Sequence, residues 1–324
     1  MEIYWNDKGE KKVNNPTSSS DTLKRDVQQT EQDVDFDSIV NEAWKLHLKN
    51  QNTEALNLID FVLKLQPDEN YYNVKAVIYD SLSQFEEADK CYDEALKINP
   101  HNPVIRQNKV EMLYSWAKQL WLYPTNNKDA LKIINNAIDN LDDTIDDSKF
   151  WDLKSKILSR MKKPIEAHKC ELKSKHQYDK LNKFESKLEY LETTDDILIN
   201  VTGIYFYKGI KLFKKGLILD LIPEPENEVD SDAIEVELNG EKVGYVANSP
   251  NTLIKYAQSA TDIKDKIENN QKAEVQFIFL DRYVIAKLIS KSQNELLNEI
   301  ESHNNDVEKF LSDMDEVIKS VKDY

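Results

Sequence analysis

The sequence predicts a multidomain α and β protein: an α-helical solenoid of repeats, then a small β-barrel-like module, then a C-terminal helix. Three observations carry this. A helical pattern recurs at a spacing of 33 residues, the periodicity switches from helical to alternating near residue 196, and an amphipathic stripe returns beyond residue 291. Composition narrows the class further. The chain has 324 residues, enough for two compact units with tails, because one core rarely organises more than about 250 residues. Only six are glycine, which disfavours glycine-rich nucleotide loops. With 43 Lys+Arg against 59 Asp+Glu, a net charge of -16 excludes an indiscriminate polyanion binder of the histone or sliding type. No apolar run reaches the roughly 18 residues of a membrane span, and the opening MEIYWNDKGEKK lacks the apolar core of a signal peptide. Cys91 and Cys170 are too few for a disulfide framework. The expected setting is the cytoplasm, with no membrane contact.

Residues 1–35 contain PTSSSDT and QQTEQDVD and few apolar side chains, so they read as a disordered N-terminal tail in which Tyr4 and Trp5 could serve as a short docking motif. From residue 36 the helical repeat begins. Ala55, Val62, Leu63 and Pro67 reappear 33 positions later as Ala88, Ala95, Leu96 and Pro100. In the second copy Ala76, Tyr79, Ala88, Tyr92, Ala95 and Pro100 alternate small, aromatic and proline classes as a helix-turn-helix unit requires. Small residues let paired helices approach, rings fill the gaps, and proline starts the link onward. This pattern resembles the tetratricopeptide repeat (TPR). A third unit is stretched around Leu122 to Lys128, and a fourth begins near Trp151 and restarts at Pro164. Four units suffice for a stable stack, since each buries its apolar face only against neighbours. The helical region runs over 36–192, where Leu181, Phe184, Leu188 and Leu191 form a last stripe expected to cap the stack.

Between 197 and 290 short β-branched runs replace the helical pattern. Ile234, Val236 and Leu238 alternate with glutamates before Asn239-Gly240, the strongest short-range hairpin signal, and Lys242 to Val246 returns. Ile197 to Phe206, Leu217 to Ile222, and a second hairpin about Asp281-Arg282 bring the total to about six strands. Ser249-Pro250 reads as a helix cap followed by a helix through Leu253, Tyr256 and Ala257. Residues 292–324 form a C-terminal amphipathic helix with Leu296, Leu297, Ile300, Val307, Phe310, Leu311, Met314, Val317, Ile318 and Val321 on its apolar side. That stripe covers either this chain's own core or a partner.

The segment EPENEVDSDAIEVELNGEKVGYV, Glu224 to Val246, holds the most specific signal. Glu224, Pro225, Asn227, Asp230, Ala233, Ile234, Val243, Gly244 and Tyr245 fall in register with the pattern of the HIRAN domain, which this region resembles. By their own chemistry Asn227, Asp230 and Asp232 can close Asx turns that lead the chain back into a strand. The resemblance implies a groove that captures the 3′ end of single-stranded DNA, with Asp230 accepting a hydrogen bond from the terminal hydroxyl, aromatic rings stacking on bases and basic groups holding phosphates. Asn227 and Tyr245 belong to the same candidate site, and Tyr205, Lys208 and Lys211 offer an aromatic and basic cluster beside it. Val229 stands where the family usually has an aromatic residue, and Asn200-Val201 where DNA-binding members have basic and aromatic ones. The region 197–290 holds 11 Lys+Arg against 14 Asp+Glu.

On the repeat side, the TPR resemblance places Val40, Trp44, Leu48, Asn73 and Val77 along the concave groove. That row lacks paired cations for a terminal carboxylate, which favours an internal or amphipathic peptide segment as ligand. No P-loop, nucleophile elbow or zinc-protease helix occurs, so neither an enzyme, a cofactor nor a metal site is expected. Two functions follow. One is a non-enzymatic adaptor that joins a protein partner to a single-stranded DNA 3′ end, with a place in DNA repair or processing; the alternative is a pure protein-interaction scaffold whose HIRAN module has lost DNA binding.

Overall fold

The structure is a computed structural model that describes residues 3–5, 11–13, 35–267 and 270–322. The expected tail at 1–35 falls mostly outside the described residues; within it, β1 (Ile3–Trp5) pairs antiparallel with β2 (Lys11–Val13), which corrects the expectation at those six positions. Ile3, Tyr4 and Trp5 have the β-branched and aromatic side chains that favour a strand. The chain divides into two compact units between Tyr178 and Asp179.

The first unit contains four helix pairs: α1 (Phe36–Leu48) with α2 (Asn52–Leu65), α3 (Glu69–Ser81) with α4 (Phe85–Ile98), α5 (Pro103–Trp121) with α6 (Asn127–Asp139), and α7 (Ser148–Arg160) with α8 (Pro164–Ser174). Ala43, Ala55, Ala76, Ala88, Ala95 and Ala137 are fully buried, as close helix approach demands. Starts follow local chemistry. The Asp35, Asp68 and Asn102 side chains accept from first-turn N–H groups, and Pro103 and Pro164 occupy the first turns of α5 and α8. The stretched third unit contains a single 3₁₀ turn, Pro124–Asn126.

Helix ends are less ordinary. Asn50, Ser83, Lys162 and His176 all have φ between 52° and 61°, the left-handed region that normally calls for glycine. Each is followed by a residue whose N–H reaches back six positions inclusive: Gln51 to Leu46 O, Gln84 to Tyr79 O, Lys163 to Leu158 O and Gln177 to Leu172 O, at 2.9 to 3.0 Å. Four of the eight helices of the stack, α1, α3, α7 and α8, therefore end in Schellman turns built without glycine.

The second unit begins with α9 (Tyr178–Thr193) and centres on a closed antiparallel barrel of six strands, β3 (Leu198–Thr202), β4 (Ile218–Pro223), β5 (Ile234–Leu238), β6 (Glu241–Val246), β7 (Gln271–Phe279) and β8 (Tyr283–Leu288), in the order β3-β6-β5-β4-β7-β8. Its interior is filled by Ile199, Val201, Leu219, Leu221, Ile234, Val236, Val243, Val275 and Val284. Asn239 and Gly240, at φ 53° and 74°, make the expected β5–β6 turn. A Cβ on Gly244 would lie 2.5 Å from Thr202 O and 2.8 Å from Val201 Cγ1, so β3 and β6 approach too closely for any side chain there.

Four details depart from the sequence reading. The first strand stops at Thr202, because Gly203 at φ 74° turns the chain into a 3₁₀ turn over Ile204–Phe206. The second hairpin turns on Leu280 and Asp281, at φ 50° and 52°, one residue earlier than expected. No helix forms through Leu253, Tyr256 and Ala257. Instead the fully buried Asn200 on β3 donates from Nδ2 to Thr252 O at 3.0 Å and accepts at Oδ1 from Ile254 N at 3.2 Å, holding that segment open; the one helix nearby is α10 (Ala260–Ile263), capped by Ser259. Finally, α9 lies on the barrel. Phe184 stacks on Phe279 at 5.1 Å between ring centroids, Tyr190 meets Phe277 edge-on at 5.9 Å, and Lys187 Nζ donates to Ile278 O at 3.0 Å. Of the stripe read as a cap for the repeats, Phe184 finds its partner in Phe279 of the barrel.

The long helix α11 (Lys291–Lys322) starts against β7: the buried Asn294 accepts from Lys272 N–H at 3.0 Å, and Lys272 Nζ, itself buried, bonds both Asp220 at 2.5 Å and Glu301 at 2.9 Å. Leu296 and Ile300 face solvent. The stripe from Val307 onward lies outside the described side chains.

Candidate nucleic-acid cleft

A cleft of about 430 Å³ opens on the barrel, lined by residues of the Glu224–Ala233 loop, the end of β6 and the segment after it. The loop is closed by its own side chains. Asn227 Oδ1 accepts from Val229 N–H at 3.0 Å and Asp230 N–H at 3.1 Å, while its Nδ2 donates to Glu224 Oε2 at 2.7 Å. Ala233 N–H then donates to Asp230 O at 2.9 Å and returns the chain to β5. The turns read from the sequence form at Asn227 and at Asp230, whereas the carboxylate of Asp232, also expected to close one, bonds Thr261 and Lys264 instead.

Asp230 is half-buried at the cleft wall. Its Oδ1 accepts from Asp232 N–H at 3.0 Å and its Oδ2 from Asn248 Nδ2 at 2.8 Å. A carboxylate oxygen has two acceptor sites, so each retains one for a ligand donor. Asn248 is fixed in turn by Thr261, whose N–H donates to Asn248 Oδ1 at 3.0 Å. Thr261 Oγ1 and Lys264 Nζ also bond Asp232, at 2.7 and 2.6 Å. The bond from Lys264, then that from Thr261, holds the Asp232 carboxyl below its usual range.

Tyr245 stands on a second polar cluster. Lys242 Nζ lies 4.1 Å from the centroid of its ring, bonds its hydroxyl, and pairs with Glu235 and Glu224. Desolvation works against the Lys242 ammonium, but bonds to Glu235 and Tyr245 outweigh it and raise its pKa. Burial, then the bond to Glu224, raises the Glu235 carboxyl; the same bond with Glu235 lowers Glu224.

Of the residues singled out by sequence, Asn227, Asp230 and Tyr245 converge on the cleft, whereas Tyr205, Lys208 and Lys211 are not among its lining. Lys208 is paired with Glu241 at 2.6 Å and Tyr205 is exposed. Val229 projects from the rim, 96% exposed. Thr202, Ala233, Val246, Asn248, Ser249 and Thr252 complete the lining; of these, Val246, Asn248 and Thr252 carry no sequence signal for it. Among the described lining residues there is no Lys or Arg.

The repeat groove is altered at one end. Val40 is 1% exposed and packs with Ala43, Ala55 and Ile59, so it is core and cannot meet a ligand; its turn of α1 points at α2. Trp44 is half-buried with its ring 5.2 Å from His47, and Leu48 is 55% exposed. Asn73 accepts from Asn108 Nδ2 at 3.0 Å across α3 and α5, and Val77 packs against the core. Cys91 and Cys170 are free and buried; burial pushes the Cys91 thiol up to about 11. Asp146, Asp147 and His176 bring possible ligand atoms within 4.8 Å of one another at the surface, where Ser148 bonds both Asp146 and His176.

A helical repeat stack followed by a small closed barrel with a lined cleft defines a two-module binding protein. The model of the tetratricopeptide repeat matches residues 70–102 and that of the HIRAN domain matches residues 195–276; the chain carries both. In general these are modules of protein interaction and of nucleic-acid binding, and typically not catalytic. Among solved structures the chain is similar to a MamA RS-1 ArsTM double mutant, at 15% identity over 43% of this chain and 74% of that one, TM-score 0.31. It is similar to the HIRAN domain of human HLTF at 20% identity over 31% of this chain and 78% of that one, TM-score 0.21. Pseudomonas aeruginosa PilF gives 18% identity over 43% and 59%, TM-score 0.29. No curated protein matches the chain. No helix among the described residues is long and apolar enough to cross a membrane.

Proposed function

We propose that this chain is a non-enzymatic cytoplasmic adaptor whose barrel cleft takes the 3′ end of single-stranded DNA and whose repeat groove takes an internal or amphipathic peptide segment. Asp230 carries the reading. Its carboxylate is oriented from two sides, by Asp232 N–H and Asn248, and keeps acceptor capacity toward the cleft. An ionised carboxylate accepts a hydrogen bond from a free 3′-hydroxyl and repels a 3′-phosphate, so it reads the chemistry of the end and not the base. A volume of about 430 Å³ is in the range that encloses a small ligand and excludes a duplex. Fluorescence anisotropy of the full chain with 3′-hydroxyl, 3′-phosphate and duplex oligonucleotides tests it. Preference for the 3′-hydroxyl strand is expected; equal affinity for all ends, or no binding at low salt, removes the nucleic-acid role.

The second reading is a protein scaffold whose barrel no longer binds DNA. It is favoured by the bare Val229 at the rim, by Asn200 and Val201 being buried, and by the commitment of Lys208 to Glu241. Partners recovered unchanged after nuclease treatment and after Asp230→Ala would select it.

A further inference from the structure

The sign of the charge reverses along the repeat stack. Residues 36–147 carry 11 Lys+Arg against 19 Asp+Glu, whereas residues 148–178, the α7–α8 pair, carry nine against three. Some of that positive charge is neutralised locally. Lys149 pairs with Glu111, Lys156 with Asp152, and Lys175 with Glu171, at 2.5 to 2.7 Å. Lys154, Lys162, Lys163 and Lys173 form no ion pair among the described residues. Lys154 and Lys173 bracket the half-buried Trp151, their ammonium groups 5.0 and 4.1 Å from its ring, while its indole N–H is taken by Asp147 at 2.8 Å. Lys162 and Lys163 are exposed in the turn between the two helices.

We infer that the α7–α8 pair is a contact surface for the phosphate backbone of a single-stranded nucleic acid, through Lys154, Lys162, Lys163 and Lys173. The reading rests on the proposal that this chain binds single strands. The lining of the barrel cleft includes Asp230 and no cation among the described residues, so the phosphate contacts of this chain are sought elsewhere. An excess of nine cations over three acids makes a locally favourable field for phosphates in a chain of net charge -16, and lysine interleaved with tryptophan suits a flexible, unpaired strand. Each phosphate neutralised releases bound counterion, which makes the contact measurable as a salt slope.

The test uses the full chain and a labelled single-stranded oligothymidylate with a 3′-hydroxyl or 3′-phosphate, titrated between about 50 and 200 mM salt. Lys162→Gln with Lys163→Gln, in an exposed turn, leaves the helices intact; Lys154→Gln and Lys173→Gln are added to it. For single strands each lost phosphate contact lowers the slope of log affinity against log salt by about 0.7, so the double variant loses about 1.4 and the quadruple up to about 2.8. Affinity at low salt falls at least tenfold in the quadruple variant while the preference for a 3′-hydroxyl is unchanged. Asp230→Asn shows the converse: the preference is lost and the slope kept. A wild-type end preference with an unaltered slope in the quadruple variant overturns the α7–α8 surface alone. A slope that falls with the lysines in a protein without end preference overturns the Asp230 reading alone. Failure to bind any strand overturns both, and capture of polyglutamate in place of oligothymidylate identifies the surface as one for acidic protein segments and overturns the inference.

Discussion

The repeat stack turns its chain without glycine, whereas the barrel uses glycine and also sets Asn239, Leu280 and Asp281 at positive φ. Five of the six glycines lie between Gly203 and Gly244, in the barrel, and the four helix pairs contain none. The barrel spends glycine where a strand must bend or two backbones must touch, at Gly203, Gly240 and Gly244. The stack ends helices on Asn50, Ser83, Lys162 and His176, which pay the left-handed penalty instead. The barrel's glycine positions are therefore hard to alter, and the stack's left-handed positions can be improved.

The largest expected effect is at the barrel seam. Gly244→Ala sets a methyl group against Thr202 O and Val201, and unfolding by denaturant should show a loss of about 3 kcal/mol, the upper end for overpacking. In the stack, Lys109 is buried between Asp89 and Asp93, and Lys109→Ala should cost about 2 kcal/mol, discounted from a fully buried ion pair because Asp93 is half exposed. Ser83→Gly should raise stability by about 1 kcal/mol, since the exposed serine gains nothing for its strained φ. Asn50→Gly should gain only about 0.5 kcal/mol because asparagine tolerates that region best. A loss at both positions would show that the two regions do not differ as described.

The smallest effect is at the cleft. Asp232 has a folded-state pKa below its ordinary value of 3.8, so the stability it lends is fully present above that pH and disappears as pH falls through the depressed value. Protection of the amide of Thr261, whose hydroxyl the Asp232 carboxylate holds, should drop against hydrogen exchange in that acid window and not between pH 5 and 7. Loss at the higher pH would point to another group.

Much of this was legible in the sequence because it is locally encoded. The 33-residue shift of Ala55 to Ala88 marks two helix pairs, and alternation about Asn239-Gly240 marks a hairpin. What was missed depends on distant partners. Ser249-Pro250 signals a helix start, yet Asn200, some fifty residues earlier, captures Thr252 O and Ile254 N and keeps the segment open. The stripe on α9 announces that a face must be buried without saying that Phe184 will stack on Phe279. For the site, Asn227 and Asp230 were readable from Asx-turn spacing, whereas Asn248 was not, since its bond to Asp230 spans 18 residues and two strands. Lys208 looked available until the fold brought Glu241 to it.

The ratio of affinities of the full chain for the same single strand ending in a 3′-hydroxyl or in a 3′-phosphate bears most directly on the role of Asp230. A hydrogen bond to a charged acceptor contributes about 1.5 to 3 kcal/mol, so the hydroxyl end should bind about tenfold or more tightly, and Asp230→Asn should bring the ratio close to one. A ratio of one in the unaltered protein would contradict end recognition by this cleft.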